Sequence, residues 1–171
     1  MSYRNKTYVA FASEDIHYYR LMRAWRDNEH IEFNFLDAHD LAQARDTSLP
    51  DTIRRSLRLR LANTKQAIIL GSAKGKRKAG DGKSFLYYEI EVISRLNLPV
   101  IIANLDGDRN IDKNFIPQRF IDDGYYTISV SFQPKIIRYA LDNYAPAYAA
   151  SRKTGPHYYK SEVYKKIGLS E

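Results

Sequence analysis

The sequence predicts an α/β fold, a three-layer arrangement with helices on both faces of a five-stranded parallel sheet. Strand-like and helix-like patterns alternate along the chain, which calls for crossover connections and hence parallel strands. The run Pro99 to Leu105 is apolar without interruption, as a central strand covered on both faces must be. At 171 residues with 44% hydrophobic content, the chain suits one well-buried domain. We expect that domain over residues 1–144. Residues 145–171, where Pro146, Gly155, Pro156 and several tyrosines change the texture, are expected to form an appendage packed on the domain or on a partner. The expected strand order is flavodoxin-like, 2-1-3-4-5.

The elements follow in order. Tyr8 to Ala12 is a short apolar run entering Ser13-Glu14-Asp15, a turn in which Ser13 and Asp15 are candidate helix caps. The next helix carries Tyr18, Leu21, Met22 and Trp25 at helical spacing, which makes Trp25 a core residue. Ile31, Phe33 and Phe35 alternate with polar residues as a half-buried second strand ending at Asp37, followed by a polar loop from His39 to Thr47. Ser48 is placed to cap a helix in which Pro50 fits the first turn and Asp51 the positive end of the dipole. That helix has an apolar stripe of Leu49, Ile53, Leu57 and Leu61. Ala67 to Leu70 is a third strand closing on Gly71-Ser72, and Ala73 to Ser84 reads as a glycine- and lysine-rich loop. Phe85 to Leu96 is a helix, Pro99 to Leu105 the fourth strand, and Tyr125 to Val130 the fifth, leading into a helix with Ile136, Ile137, Tyr139, Ala140 and Leu141.

Composition excludes several kinds of chemistry. With no cysteine, the chain has no disulfide framework, thiolate metal site or cysteine nucleophile. His17, His30, His39 and His157 show no mutual ligand spacing, so no metal site is expected. The start, Met1 to Lys6, is polar, and no apolar run approaches the roughly 18 residues of a membrane span, so a cytoplasmic protein without membrane contact is expected. The net charge of +7 lies largely in Arg54, Arg55, Arg58 and Arg60 and in Lys74, Lys76, Arg77, Lys78 and Lys83. Such charge attracts phosphates, but the arginines also read as a solvated helix face opposite an apolar stripe. No nucleic-acid-binding signature accompanies them, so nucleic acid is not an expected partner.

One carboxylate stands out. On the helix from Phe85, residues Leu86, Ile90 and Ile93 form one apolar row and Phe85, Val92 and Leu96 a second, with Glu89 in the second row one turn after Phe85. Glu89 is expected at the boundary of the core. Glu91 lies about 200° around the axis from it and is expected to face water. In a sheet of this order, ligands bind beyond the carboxyl ends of the strands where the order reverses. That crevice gathers Phe11, Ala12, Ser13 and Asp15 after the first strand, Gly71 and Ser72 after the third, and Glu89 on the following helix.

These residues resemble the TIR-like domains of bacterial defence, in particular the nucleotide-signal-producing TIR component of the Thoeris antiphage system. The likeness rests on Tyr8-Val-Ala-Phe-Ala-Ser-Glu-Asp15, on Asn63-Thr-Lys-Gln-Ala-Ile-Ile-Leu-Gly-Ser72 and on Phe85-Leu-Tyr-Tyr-Glu-Ile90, spanning residues 6 to about 105. In that family an aromatic residue, usually Trp, precedes the catalytic glutamate by four positions; Phe85 and Glu89 fill those places. Phe85 in place of Trp and the lysine-rich insertion before it depart from the family pattern. The resemblance implies a TIR-like fold and an NAD-consuming enzyme, a glycohydrolase or ADP-ribosyl cyclase with Glu89 as catalytic residue. NAD would be substrate, with no further cofactor. It also implies ligand contacts from Phe11, Ala12, Ser13, Asp15 and Phe85, a homo-oligomer formed through TIR-type contacts, and a separate effector protein that reads the product.

Other readings remain. Gly82-Lys83-Ser84 suggests a phosphate loop, but the required earlier glycine is Arg77 and about a dozen residues separate Leu70 from Lys83. A non-catalytic interaction module and a glutamate-dependent nucleoside deoxyribosyl transferase also fit such a sheet. A phospho-receiver fits poorly, since the first strand ends without a paired acidic cluster.

Overall fold

The computed structural model describes residues 2–28, 36–37 and 49–170. Its strands are β1 (Lys6–Ala10), β2 (Leu36–Asp37), β3 (Gln66–Gly71), β4 (Val100–Asn104), β5 (Thr127–Ser131) and β6 (Pro156–Tyr158). All pair in parallel, in the order 2-1-3-4-5-6. The helices are α1 (Ile16–Asp27), α2 (Pro50–Leu61), α3 (Ala73–Ala79), α4 (Phe85–Arg95), α5 (Gln118–Asp122), α6 (Pro134–Ala147) and α7 (Ser161–Lys166).

The α/β class and the order of the first five strands are as expected from sequence. Among the described residues the sheet carries a sixth strand beyond the expected five, because Pro156, His157 and Tyr158 pair with Thr127, Ile128 and Ser129 at the sheet edge. A three-residue strand shows no alternation, and proline is tolerated where the outer side needs no donor. Two helices also correct the reading. Residues 73–79 form α3, started by Ser72, whose Oγ accepts from the Gly75 amide at 2.9 Å. Residues 118–122 form α5, where no helix is expected from the sequence.

The sheet's alternation sorts the core into two layers. Val9, Ile68, Leu70, Ile101, Ala103, Ile128 and Val130 face Tyr19 and Met22 of α1 and Ile136, Ile137, Ala140 and Leu141 of α6. Tyr8, Ala10, Ala67, Ile69, Val100 and Ile102 face Ile53, Leu57 and Leu61 of α2, Leu86, Ile90 and Ile93 of α4, and Phe120 of α5. The expected stripes shift at their ends. Leu21 is exposed and Tyr19 is buried in α1, because the helix turns the neighbouring face to the sheet. Leu49 and Leu96 are exposed because each lies just outside its helix. Trp25 is half-buried and packs on Phe132, with ring centroids 4.7 Å apart. Neither Ser13 nor Asp15 caps a helix through its side chain. Ile31, Phe33, Phe35, Ser48 and the loop expected from His39 to Thr47 lie outside the described residues.

Candidate active site

Two elements meet at Glu89. Tyr8 stands in the middle of β1 with its side chain on the α2/α4 side of the sheet, and Glu89 stands in the second turn of α4. The Tyr8 hydroxyl donates to Glu89 Oε2 at 2.5 Å. Tyr8 is 0% and Glu89 2% exposed. Glu89 therefore lies deeper than the expected core boundary, because the sheet covers one side of α4 while α2 and α3 pack beside it. Phe85, one turn earlier, is half-buried against the same apolar cluster.

Glu91 is the clearest correction. It is buried, and the Arg54 Nε of α2 lies 2.6 Å from its Oε1. A helical wheel faces Glu91 away from the sheet, but α2 lies on that side and covers it. Burial pushes its carboxyl up, while the hydrogen bond and charge of Arg54, with Arg95 and Arg119 farther off, outweigh this and hold it below the usual carboxylate range. Arg54 also sits over the Tyr88 ring, 5.2 Å from its centroid.

The crevice where strand order reverses lies between the carboxyl ends of β1 and β3. Two polar bridges cross it. Ser72 Oγ donates to Asp15 Oδ2 at 2.6 Å while accepting from the Gly75 amide, so one hydroxyl starts α3 and ties it to the end of β1. Lys78 Nζ lies 2.6 Å from Glu14 Oε1 and donates to Ser13 Oγ at 3.0 Å. Hydrogen bonds from Lys78 and Ser13 lower the Glu14 carboxyl to about 2. The lysine-rich insertion thus supplies a cross-link over the crevice.

The remaining sequence-selected residues divide between the two faces. Ala12 packs in the cluster that holds Tyr8 and α4, whereas Phe11 turns its ring to the other layer and stacks on Tyr19 at 4.8 Å. What Phe11 can offer a ligand at the crevice is therefore its backbone. Gly71 ends β3 beside Asn104 of β4. The sequence reading missed Tyr8 as a polar partner and Arg54 as the partner of Glu91. A tyrosine inside a run otherwise made of valine, alanine and phenylalanine was the available signal for the first. Asp106, Asp108 and Asp112 each bring one carboxylate oxygen within 4.8 Å of the others, and each also accepts a backbone amide that turns the loop after β4.

A doubly wound parallel sheet with Tyr8 of β1 bonded to the buried Glu89 of α4 defines a flavodoxin-like α/β protein of the TIR class. The family model of the Thoeris protein ThsB, TIR-like domain, matches residues 8–110, well over half the chain, and the protein belongs to that family. No curated protein matches the chain. Among the described residues, no helix is long and apolar enough to cross a membrane.

Proposed function

We propose that this Thoeris TIR-like domain consumes NAD, breaking the bond between nicotinamide and ribose to yield ADP-ribose or a cyclic ADP-ribose isomer as a signal in antiphage defence. The observation that carries the proposal is the carboxylate of Glu89, held by Tyr8 at the second turn of α4 with Phe85 one turn before it. Membership in the family supports the same role.

A single carboxylate is enough for this reaction. Glycosidases that expel an alkoxide need a second acid to protonate it. Nicotinamide leaves as a neutral pyridine and needs no proton. Glu89 would accept hydrogen bonds from the ribose hydroxyls and set negative charge beside the developing oxocarbenium centre. A carboxylate screened from water acts more strongly on that centre. Water, or a nitrogen of the adenine, then completes hydrolysis or cyclisation. The crevice segments Phe11, Ala12, Ser13, Asp15, Gly71 and Ser72 would receive the rest of the dinucleotide, with backbone donors facing the diphosphate.

At 2% exposure, Glu89 meets ribose only when part of its cover moves aside. Slow turnover by the resting chain and faster turnover after a trigger or assembly into a homo-oligomer are the expected consequence. A cytoplasmic NAD pool and a separate effector that reads the product complete the proposal. The same burial favours a second reading, in which the domain is a non-catalytic interaction module and Glu89 a structural residue.

The deciding experiment incubates NAD with concentrated wild-type and Glu89→Gln protein, with and without lysate from phage-infected cells, and analyses the products by chromatography and mass spectrometry. Glu89→Gln keeps shape and loses charge, so it is expected to fold normally and to lose turnover by at least about 100-fold, the scale of one removed electrostatic stabiliser. Release of nicotinamide by wild type alone supports the reading, and the mass of its partner separates the linear from the cyclic product. Intact NAD in every condition, or equal activity of the variant, would overturn it.

A further inference from the structure

Tyr8 places a hydroxyl in the middle of β1, on a buried face of the sheet. Val9 and Phe11 fill one layer and Ala10 and Ala12 the other with purely apolar groups, so packing alone makes no demand for a hydroxyl at position 8. The Tyr8 ring is enclosed at 0% exposure, and its oxygen reaches a carboxylate 81 positions away in sequence. Several charged groups on the helices packed against α4 are committed elsewhere. Arg54 of α2 goes to Glu91 and Asp51, and Lys76 and Lys78 of α3 go to the Lys113 carbonyl and to Glu14 and Ser13. The neighbouring Tyr88 hydroxyl donates to the Gly82 carbonyl, while Arg119 of α5 lies 4.0 Å from Asp123 and its Nε makes no hydrogen bond among the described residues.

We propose that Tyr8 is a positioning residue: its hydroxyl holds Glu89 in one rotamer and keeps the carboxylate charged inside an apolar layer, ready to face the ribose. The proposal deepens the NAD-consuming reading and rests on it for its catalytic meaning. The physical case is that a buried carboxylate must either find a donor or take up a proton, and a protonated Glu89 is useless for stabilising a cation. Tyr8 is a fixed donor, since its ring cannot leave the core without opening the sheet face. The carbon chain of Glu89 is the flexible partner, and one bond to a rigid donor removes most of that freedom.

The test is Tyr8→Phe, which removes one oxygen and leaves the ring. Since a hydrogen bond to a charged group is worth a factor of about ten or more, kcat is expected to fall by at least about tenfold with KM little changed. The acid limb of the kcat/KM profile is expected to move to higher pH by about one unit. A second readout does not depend on turnover: carbon NMR of protein labelled at the glutamate carboxyls, with the Glu89 resonance assigned through Glu89→Gln, titrated in wild type and Tyr8→Phe. An upward shift of the Glu89 midpoint in the variant supports the proposal; an unchanged midpoint overturns it, whatever the activity. If wild type leaves NAD intact while the midpoint still shifts, the hold of Tyr8 on Glu89 stands and it is the enzymatic reading that fails. Should Tyr8→Phe not fold, the double variant Tyr8→Phe with Glu89→Leu decides: recovery of folding identifies the lost hydrogen bond to the buried Glu89 carboxylate as the cause, and failure to recover overturns the proposal.

Discussion

Gly71 ends β3 opposite Asn104 at the carboxyl end of β4. A Cβ built on it would lie 3.0 Å from Ile102 Cγ2, 3.1 Å from Asn104 Oδ1 and 3.3 Å from the Ala103 carbonyl oxygen. Asn104 cannot swing away, because its Nδ2 donates to the carbonyls of Asp108 and Asn110. Gly71→Ala is therefore expected to destabilise the protein by about 1–3 kcal/mol, as overpacking does, measured by urea unfolding. Unchanged stability would mean that the two strands part without cost. At this scale the sequence marks Gly71 as the end of a strand, but the crowding that excludes a side chain comes from residues some thirty positions away. The two glutamates of α4 teach the same lesson. Helical periodicity sends Glu89 inward and Glu91 outward, and both are buried because a second helix closes over the outward face.

Helix α4 is sandwiched between the sheet and its helical neighbours, and the Glu91 to Arg54 pair is a charged contact between α4 and α2. A carboxyl held below its unfolded value stabilises the fold fully above the ordinary carboxylate range, and that contribution is lost as pH falls through the folded value. Arg54→Met leaves Glu91 buried without this partner, so its melting temperature should drop by several degrees at neutral pH. The gap to wild type should narrow as pH falls and Glu91 takes up a proton. Melts recorded from neutral to acid pH check this. A gap that stays constant would assign Arg54 to packing over Tyr88 instead of to charge. The existence of α2 and α4 was readable from their apolar spacing, whereas α3 was hidden by glycine and lysine. Its start depends on Ser72, a cap whose hydroxyl is also bonded to Asp15 on another element.

For the molecule as a whole, the tail is part of the sheet's edge. Tyr164 of α7 is fully enclosed, its hydroxyl accepts from the Ser131 amide at 3.1 Å, and the Arg109 guanidinium lies 4.3 Å over its ring. Tyr144 works similarly from α6, accepting from the Val100 amide and donating to the Tyr126 carbonyl. Removing the ring in Tyr164→Ala should destabilise the entire protein by about 3–5 kcal/mol, seen as one earlier unfolding transition by denaturant. A separate early transition confined to the tail would mean that residues 145–171 fold as an independent unit.

The α/β class, the order of the first five strands, the central position of β4 and the helix that carries Glu89 were legible before any tertiary contact was known. The class, the central strand and the helix are written in local periodicity and in the rule that parallel strands need crossovers, and the order in the likeness to flavodoxin-like folds. Tertiary structure alone decided the pairing of Glu89 with Tyr8, the burial of Glu91 under α2, the Asp15 to Ser72 bridge and the sixth strand. These depend on which residue another element brings within hydrogen-bond reach. A distance of 2.5 Å between positions 8 and 89 is a property of the closed sheet and its helices, and no window of neighbouring residues contains it.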